Sequence, residues 1–289
     1  MHDLKIMYIY CLFEISQLMG VENRERLDFI PLVHNQDIDE HMASLRYACM
    51  IQHALMPDNE LLRTMLKDFF ILFLPRDIVS GDFYYAFCNR QYVCVAAGDC
   101  TGHGVPGALM SILGISFLNE ILQSKVTLRA NRILNMMREK VMKALHQTGT
   151  QAATKDSIDI ALCIAEKGSG SLQYAGANRP LIMMREGILT EFKPDKMTIG
   201  IAYETEHPFT NTIIETIPGD SFYLFSDGFA DQIGELSDKR FKYRQFKQIL
   251  ESVTGLSMAN QKECLEFSFN EWKGNTQQVD DVLVFGFQI

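Results

Sequence analysis

The chain has 289 residues, of which 47% are apolar and 22% are charged. This mixture is typical of one large globular domain or two small ones, and it excludes a disordered chain, a collagen and a coiled-coil rod. The formal net charge of −9 excludes a bulk positive field that would attract nucleic acid or an anionic membrane.

Residues 1–67 are predicted to form a helical linker or the remnant of a sensor domain. Apolar residues recur at helical spacing in Ile6–Phe13 and again from about Asp37 to Pro57. The first run is too short to span a bilayer, and charged neighbours exclude a signal peptide, so we expect a cytoplasmic chain without membrane insertion. A helix with an unpartnered apolar stripe docks on a neighbouring domain or on a second copy, and a homodimer through these helices is our hypothesis.

From Phe69 onward the apolar period changes to two, which predicts a β-rich domain over residues 68–289. The predicted strands are Phe69–Leu74, Asp82–Cys88, Tyr92–Ala97, Ile158–Glu166, Leu172–Ala175, Leu181–Arg185, Thr212–Ile217, Ser221–Phe225 and Val282–Phe287. Short polar or glycine-bearing connections between them favour hairpins and antiparallel sheets over a parallel Rossmann sheet.

Two helix pairs are predicted among these strands. They are Ala108–Gln123 with Leu128–His146 after an N-cap at Thr127, and Tyr243–Val253 with Met258–Trp272 after an N-cap at Ser257. Helix pairs together with antiparallel strands indicate an α+β fold built in layers.

Four aspartates stand out because each is predicted to end an apolar strand beside a glycine or a second aspartate. The segments are Ser80-Gly81-Asp82, Ala97-Gly98-Asp99, Ser226-Asp227-Gly228 and Val279-Asp280-Asp281. A single Gly-Asp pair is an ordinary turn signal, but four together indicate a site. Carboxylates held within a few ångströms of one another must take up a proton or bind a cation, and oxygen ligands favour Mg²⁺ or Mn²⁺.

The loop from Asp99 to Gly107 leads directly into a predicted helix and contains three glycines, at positions 102, 104 and 107. The chain has neither a Walker lysine in a phosphate loop nor a G-x-S-x-G elbow. No motif therefore supports a P-loop enzyme or a serine hydrolase. Hydrolysis by a water that two divalent ions activate needs no protein nucleophile and fits the residues present.

Five motifs in order resemble those of the SpoIIE family, the bacterial branch of the metal-dependent type 2C (PPM) serine/threonine phosphatases. They are the stretch from Pro75 to Tyr84, the stretch from Gly98 to Gly104, the stretch from Tyr174 to Pro180, Ser226-Asp227-Gly228 and Gln278-Val279-Asp280-Asp281. The resemblance covers about residues 48–289. It implies a four-layer α/β/β/α sandwich, in which two antiparallel sheets are flanked by helix pairs.

The resemblance also implies roles for individual residues. Asp82 would bind one of two Mn²⁺ or Mg²⁺ ions, and Asp99 would bridge both. Asp227 and Asp280 would complete the second site, and the backbone carbonyl of Cys100 would be a further ligand.

Three other residues keep an alternative structural interpretation, and a fourth is a further candidate for the site. Arg76 is a candidate phosphate ligand or a surface arginine, and His103 is a general acid or a histidine that fixes the loop. Asp231 is a ligand for a third metal ion or a helix cap, and Asp281 is a residue that shares the role of Asp280.

The leading hypothesis is a metal-dependent phosphatase acting on phosphoserine or phosphothreonine in a regulatory protein. If the resemblance extends to biology, the substrate is a small regulator such as an anti-sigma-factor antagonist. A catalytically silent module that keeps the fold and binds a phosphoprotein is the alternative, and a metal-dependent nuclease is disfavoured by the acidic charge.

Overall fold

A computed structural model of the protein describes residues 35–124, 128–148, 154–201 and 207–289. The predicted helix at Ile6–Phe13 lies outside the described residues, as does Thr127. Contacts along the chain divide it into two units, Met1–Ser44 and Leu45–Ile289. The described part of the first unit is helical.

The N-terminal part of the description contains two helices, α1 (Asn35–Leu55) and α2 (Asn59–Met65). Helix α1 ends just before Pro57, where the sequence predicts its end, because proline cannot continue a helix. Asp58 caps α2 by accepting a hydrogen bond from the Leu61 backbone N–H at 2.7 Å.

The strands form two five-stranded antiparallel sheets. Their bounds are β1 Asp68–Leu74, β2 Phe83–Cys88, β3 Tyr92–Cys100, β4 Ile158–Glu166, β5 Ser171–Ala177, β6 Leu181–Arg185, β7 Ile188–Phe192, β8 Thr212–Glu215, β9 Ser221–Phe225 and β10 Val282–Gln288. The first sheet has the order β1-β10-β9-β6-β7, and the second has the order β2-β3-β4-β5-β8. The connection from β5 to β6 therefore crosses from the second sheet to the first.

Strand β7 is absent from the sequence prediction. Its residues are exposed or half-buried, so the strand lacks a clear alternation of buried and exposed positions. The turn before β7 indicates the hairpin that joins it to β6. The two central residues of this turn, Glu186 and Gly187, have positive φ of 50° and 81°, as a tight hairpin turn requires.

The remaining helices are α3 (Gly104–Gln123), α4 (Ala130–Ala144), the single turn α5 (Gly228–Asp231), α6 (Tyr243–Ser252) and α7 (Met258–Lys273). Helix α3 begins four residues before the predicted Ala108, because Pro106 is tolerated in a first helical turn. The N-cap of α4 is Arg129, so this helix begins later than the predicted Leu128. The predicted cap of α7 is confirmed, since Ser257 Oγ accepts from the Asn260 N–H at 3.3 Å.

Three buried apolar clusters hold four layers together. Helices α3 and α4 cover the second sheet through residues that include Phe83 and Leu118, while Phe285 belongs to the cluster between the sheets. Helices α6 and α7 cover the first sheet through an aromatic cluster that includes Phe246 and Phe269. This arrangement confirms the α/β/β/α sandwich.

Helix α3 is the one described helix that is long and apolar enough to cross a membrane. Half of its apolar window is buried inside the fold, where Ile115 and Leu118 pack in the core. Core packing therefore accounts for its apolar character.

Candidate active site

The predicted aspartates lie at one end of the sandwich, but three of them lie at a different point of their strand than predicted. Asp82 directly precedes β2 and Asp280 closely precedes β10, whereas Asp227 follows β9. Asp99 lies inside β3, which continues to Cys100. The prediction that each aspartate ends its strand is therefore wrong at three positions.

Antiparallel pairing brings these residues together, because the start of one strand lies beside the end of its neighbour. The pairing of Phe83 with Gly98 continues toward Asp82 and Asp99. At the other sheet, the Ser226 N–H donates to the Leu283 carbonyl at 3.0 Å, which fixes the start of β10 against the end of β9.

Arg179 connects the carboxylates of the two sheets. Its Nη2 lies 2.6 Å from Asp99 Oδ2, on the second sheet, and 2.7 Å from Asp227 Oδ2, on the first. Asp159 Oδ2 is 3.8 Å from the same nitrogen, and Asp159 is paired with Asp99 across β3 and β4. One half-buried guanidinium thus neutralises part of the negative charge that β3, β4 and β9 bring together.

Local structure explains why Arg179 reaches this position. Asn178 has a φ of 55°, and this left-handed turn ends β5 where the chain crosses to the other sheet. Tyr174 Oη donates to the Arg179 carbonyl at 2.7 Å, and Asn178 Nδ2 donates to Asp159 Oδ1 at 2.9 Å. The backbone on both sides of the guanidinium is therefore fixed.

Burial dominates the electrostatics of the cluster. Asp82 is 2% exposed, and burial raises the pKa of its carboxyl well above the usual range, with a further increase from the charge of Asp99. Burial also raises the pKa of Asp99 to about 7, although Arg179 acts in the opposite direction. Burial likewise raises the pKa of Asp280. The cluster favours protons or cations as counter-charges.

Asp281 has a role different from that of Asp280. Its side chain is 2% exposed, and its two oxygens accept from the Arg76 N–H and the Gly81 N–H, each at 2.7 Å. Both oxygens are therefore committed to the loop that precedes Asp82. Asp281 positions this loop, and the structure gives no support to a role shared with Asp280.

The loops around the cluster pack backbone against backbone at glycines. A Cβ added to Gly81 would lie 2.5 Å from the Gly102 carbonyl oxygen and 3.3 Å from that of Cys100. A Cβ on Gly107 would also clash with the Gly102 carbonyl. Glycine is required here because any side chain would separate the loop that precedes Asp82 from the segment that runs from the end of β3 at Cys100 to Gly102.

The other candidate residues brace the surrounding loops. His103 Nδ1 lies 2.8 Å from Asp77 Oδ2, so its partner is a carboxylate and not the backbone group expected of a loop-fixing histidine. Arg76 Nη1 donates to the Val279 carbonyl at 2.9 Å. These contacts commit both side chains to neighbouring loops.

Asp231 is also paired. Its Oδ2 accepts from Arg240 Nη1 at 3.0 Å, and both side chains are more than a third exposed. Asp231 is the last residue of α5, the single helical turn that begins directly after Asp227. The contact indicates a surface ion pair.

Within the described ranges, no group of three or more His, Cys, Asp and Glu side chains is arranged as a ready metal cage. The ion pairs explain this finding, because the Arg179 guanidinium lies between Asp99 and Asp227. Asp82 Oδ2 is nevertheless buried and accepts no hydrogen bond from the part of the chain that the structure describes. A buried carboxylate oxygen without a donor, in an all-oxygen cluster, fits a hard divalent cation.

Sequence reasoning missed Arg179 and Asp159, which belong to the cluster, and Gln52, which supports the loop that carries Asp82. The first two carried a signal, since Arg179 directly follows Asn178 in the motif from Tyr174 to Pro180 and Asp159 is the second residue of β4. Gln52 is 1% exposed, and its Nε2 donates to the Ser80 carbonyl at 2.6 Å and to Ser111 Oγ at 2.7 Å. Its Oε1 accepts from the Ser80 N–H at 3.1 Å, so α1 is bonded to the loop that carries Asp82.

Comparisons with known proteins agree with this architecture. The SpoIIE family, described as Stage II sporulation protein E, matches residues 89–289. The solved SiaA-PP2C domain of Pseudomonas aeruginosa is 29% identical, with a TM-score of 0.78 over 88% of this chain and 98% of that one. No curated protein matches the chain.

Two more distant structures share the fold. One contains the PP2C phosphatase domain and a fragment of the regulatory domain of SpoIIE from Bacillus subtilis, with 17% identity and a TM-score of 0.61 over 77% of this chain and 61% of that one. The other contains the RsbU and RsbW domains of a Mycobacterium tuberculosis protein, with 18% identity and a TM-score of 0.60 over 76% and 59%. The family match covers more than half of the chain, so this protein belongs to the SpoIIE family of PPM (type 2C) serine/threonine phosphatases, which are hydrolases.

Proposed function

We propose that the protein is a metal-dependent phosphatase that hydrolyses phosphoserine or phosphothreonine on a regulatory protein. The observation that carries this proposal is the cluster of aspartates from both sheets that share one guanidinium, 2.6 Å from Asp99 and 2.7 Å from Asp227. Such a concentration of carboxylates is costly to fold unless protons or cations balance its charge, and a site for divalent cations gives that cost a function.

The residues that would hold two Mn²⁺ or Mg²⁺ ions are Asp82, Asp99, Asp227, Asp280 and the Cys100 carbonyl. The unpartnered, buried Asp82 Oδ2 supports this assignment, as do the raised pKa values of Asp82 and Asp99. When bound, divalent ions supply Lewis acidity that activates water and neutralises charge developing on a phosphoryl group.

The chain's own residues prepare this site. Asp281 holds the loop before Asp82 through two backbone N–H groups, and Arg179 keeps Asp99 and Asp227 paired in the absence of a divalent ion. Preorganised carboxylates need no rearrangement of the backbone when the counter-charge changes.

A catalytically silent module that binds a phosphoprotein is the second candidate. The observation that favours it is the position of Arg179, whose guanidinium already satisfies two of the proposed ligands. In this case the guanidinium would be the permanent counter-ion, and the protein would bind Mn²⁺ weakly.

The experiment that tests the proposal is hydrolysis of p-nitrophenyl phosphate and then of a phosphoserine peptide, in EDTA, Mg²⁺ or Mn²⁺. The parent chain is compared with Asp99→Asn and Asp227→Asn, and Asp238→Asn is the matched control, because Asp238 is exposed and its φ of 49° also suits asparagine. Metal-dependent activity that both site variants lose and the control keeps supports the phosphatase. Absence of turnover together with weak Mn²⁺ binding by calorimetry supports the silent module.

The proposal extends to setting and regulation. We place the chain in the cytoplasm, with a helical segment over residues 1–67 and the phosphatase domain over residues 68–289. The six described cysteines are free, which suits a reducing compartment. The substrate class suggested by the motifs is a phosphorylated anti-sigma-factor antagonist.

Regulation would enter through α1 and a homodimer of the N-terminal helices. Gln52 supports the route to the site, since its side chain joins α1 to Ser80 and to Ser111 of α3. A movement of α1 would act on the loop that carries Asp82. Light scattering that shows a monomer at high concentration would refute the dimer.

A further inference from the structure

A groove of about 800 Å³ runs along β1, away from the contacts of Arg179. Its lining includes every residue from Leu66 to Leu74. Because side chains alternate between the two faces of a strand, consecutive residues line one groove only if it follows the edge of the strand. Strand β1 is an edge strand of the first sheet, so the groove follows its unpaired edge.

The walls of the groove come from both sides of that edge. One wall contains Ala259, Lys262 and Glu266, which lie on one face of α7. The opposite wall contains His53 and Tyr84, which belong to α1 and β2.

The floor of the groove is apolar. Phe69, Ile71 and Phe73 are half-buried and pack against the cluster between the sheets. These residues alternate along β1, so they present apolar contacts at the spacing of every second residue in an extended chain.

The rim is cationic, although the chain as a whole has a net charge of −9. Arg63, Lys67 and Lys262 line the groove, and none of them forms an ion pair among the residues that the structure covers. Asp68 and Glu266 also line the groove, so its three cations exceed its carboxylates by one charge. The oxygens of Asp68 accept from the Phe69 N–H at 2.9 Å and the Met258 N–H at 3.3 Å, which holds this carboxylate against the backbone.

We propose that this edge of β1 binds an extended, acidic segment of a partner polypeptide, which adds to the sheet as a further strand. Backbone hydrogen bonds to the edge would supply affinity, and alternate apolar side chains would fit the floor. Charge selects the occupant, since the rim attracts acidic side chains. A second copy of this chain would place the same cations against each other, which disfavours it.

The test uses the full chain and a fluorescein-labelled peptide of alternating glutamate and valine, seven residues long to match β1. A peptide with lysine in place of glutamate is the charge control. Binding is measured by fluorescence anisotropy in EDTA, so that the acidic peptide cannot bind through metal ions. We expect the acidic peptide to bind and to slow amide hydrogen exchange in β1, and the basic peptide to bind at least about tenfold more weakly.

The variants separate this groove from other surfaces. The double variant Lys67→Glu/Lys262→Glu is expected to bind the acidic peptide about tenfold more weakly than the parent. The control variant Lys143→Glu/Lys193→Glu changes two exposed lysines outside the groove and is expected to bind the peptide as the parent does. Circular dichroism verifies that both variants fold. Equal binding of the two peptides, or binding without slower exchange in β1, would overturn the proposal. Slow exchange in β1 without peptide, together with a dimer by light scattering, would assign the edge to a second copy instead.

Discussion

Removing the positive charge of Arg179 is the sharpest test of how the carboxylate cluster is balanced. Arg179→Met keeps an apolar stem of similar length and deletes the guanidinium, whose Nη2 contacts Asp99 and Asp227. Arg185→Met is the matched control, because Arg185 forms a two-point ion pair with Asp220, at 2.8 and 2.6 Å, outside the cluster.

The expected magnitude follows from burial. Breaking a fully buried ion pair costs about 3–5 kcal/mol, and an exposed pair contributes about 0–1 kcal/mol. The side chains of Arg179 and Asp99 are 14% and 20% exposed, but that of Asp227 is 45% exposed, which increases solvent screening. We therefore expect Arg179→Met to lower the free energy of unfolding in EDTA by about 2–3 kcal/mol, measured by urea denaturation.

The effect on metal affinity has the opposite sign. A divalent ion and the guanidinium compete for the same carboxylate oxygens, so deleting the guanidinium removes a competitor. In the parent, Mn²⁺ must displace the guanidinium, and each ~1.4 kcal/mol of that cost weakens Mn²⁺ binding about tenfold. Without the guanidinium, we expect Mn²⁺ to bind at least about tenfold more tightly, as measured by calorimetry. Unchanged or weaker Mn²⁺ binding in Arg179→Met would refute the reasoning, provided that Arg185→Met binds Mn²⁺ as the parent does.

Three further predictions follow from the same cluster. The pKa of Asp99 is raised from 3.8 to about 7, so the folded, metal-free protein binds more protons than the unfolded chain in that range. Its melting temperature in EDTA should therefore fall from pH 5 to pH 8. The fall should be smaller in an Asp82→Asn/Asp99→Asn variant. Asp281→Ala leaves two backbone N–H groups without acceptors and should cost about 2–4 kcal/mol in urea unfolding, against less than about 0.5 kcal/mol for a control at an exposed surface glutamate. Gln52→Ala removes both bonds to the Ser80 backbone and should cost about 1–3 kcal/mol and weaken Mn²⁺ binding. Equal melting curves at both pH values, a silent Asp281→Ala, or Mn²⁺ binding unaffected by Gln52→Ala would each count against the corresponding contact.

The amino-acid sequence by itself determined the layers of the fold. Period-two apolar runs predicted most strands, and helical periodicity with caps such as Ser257 predicted the long helices, because both signals are local in the chain. The order of the motifs around Asp82, Asp99, Asp227 and Asp280 predicted the family. Strand β7 was not predicted, because this half-buried edge strand has no alternation of buried and exposed residues.

Tertiary structure alone decided which groups meet at the site. Asp82 and Asp280 lie before their strands, and only antiparallel pairing brings them beside residues at the ends of neighbouring strands. Arg179 contacts Asp99, and Gln52 bonds to the Ser80 backbone beside Asp82, across large separations in sequence that no local pattern records. Local spacing fixes the faces of helices and strands, whereas the ion pairs and orphan oxygens of the site depend on how the two sheets are stacked and connected.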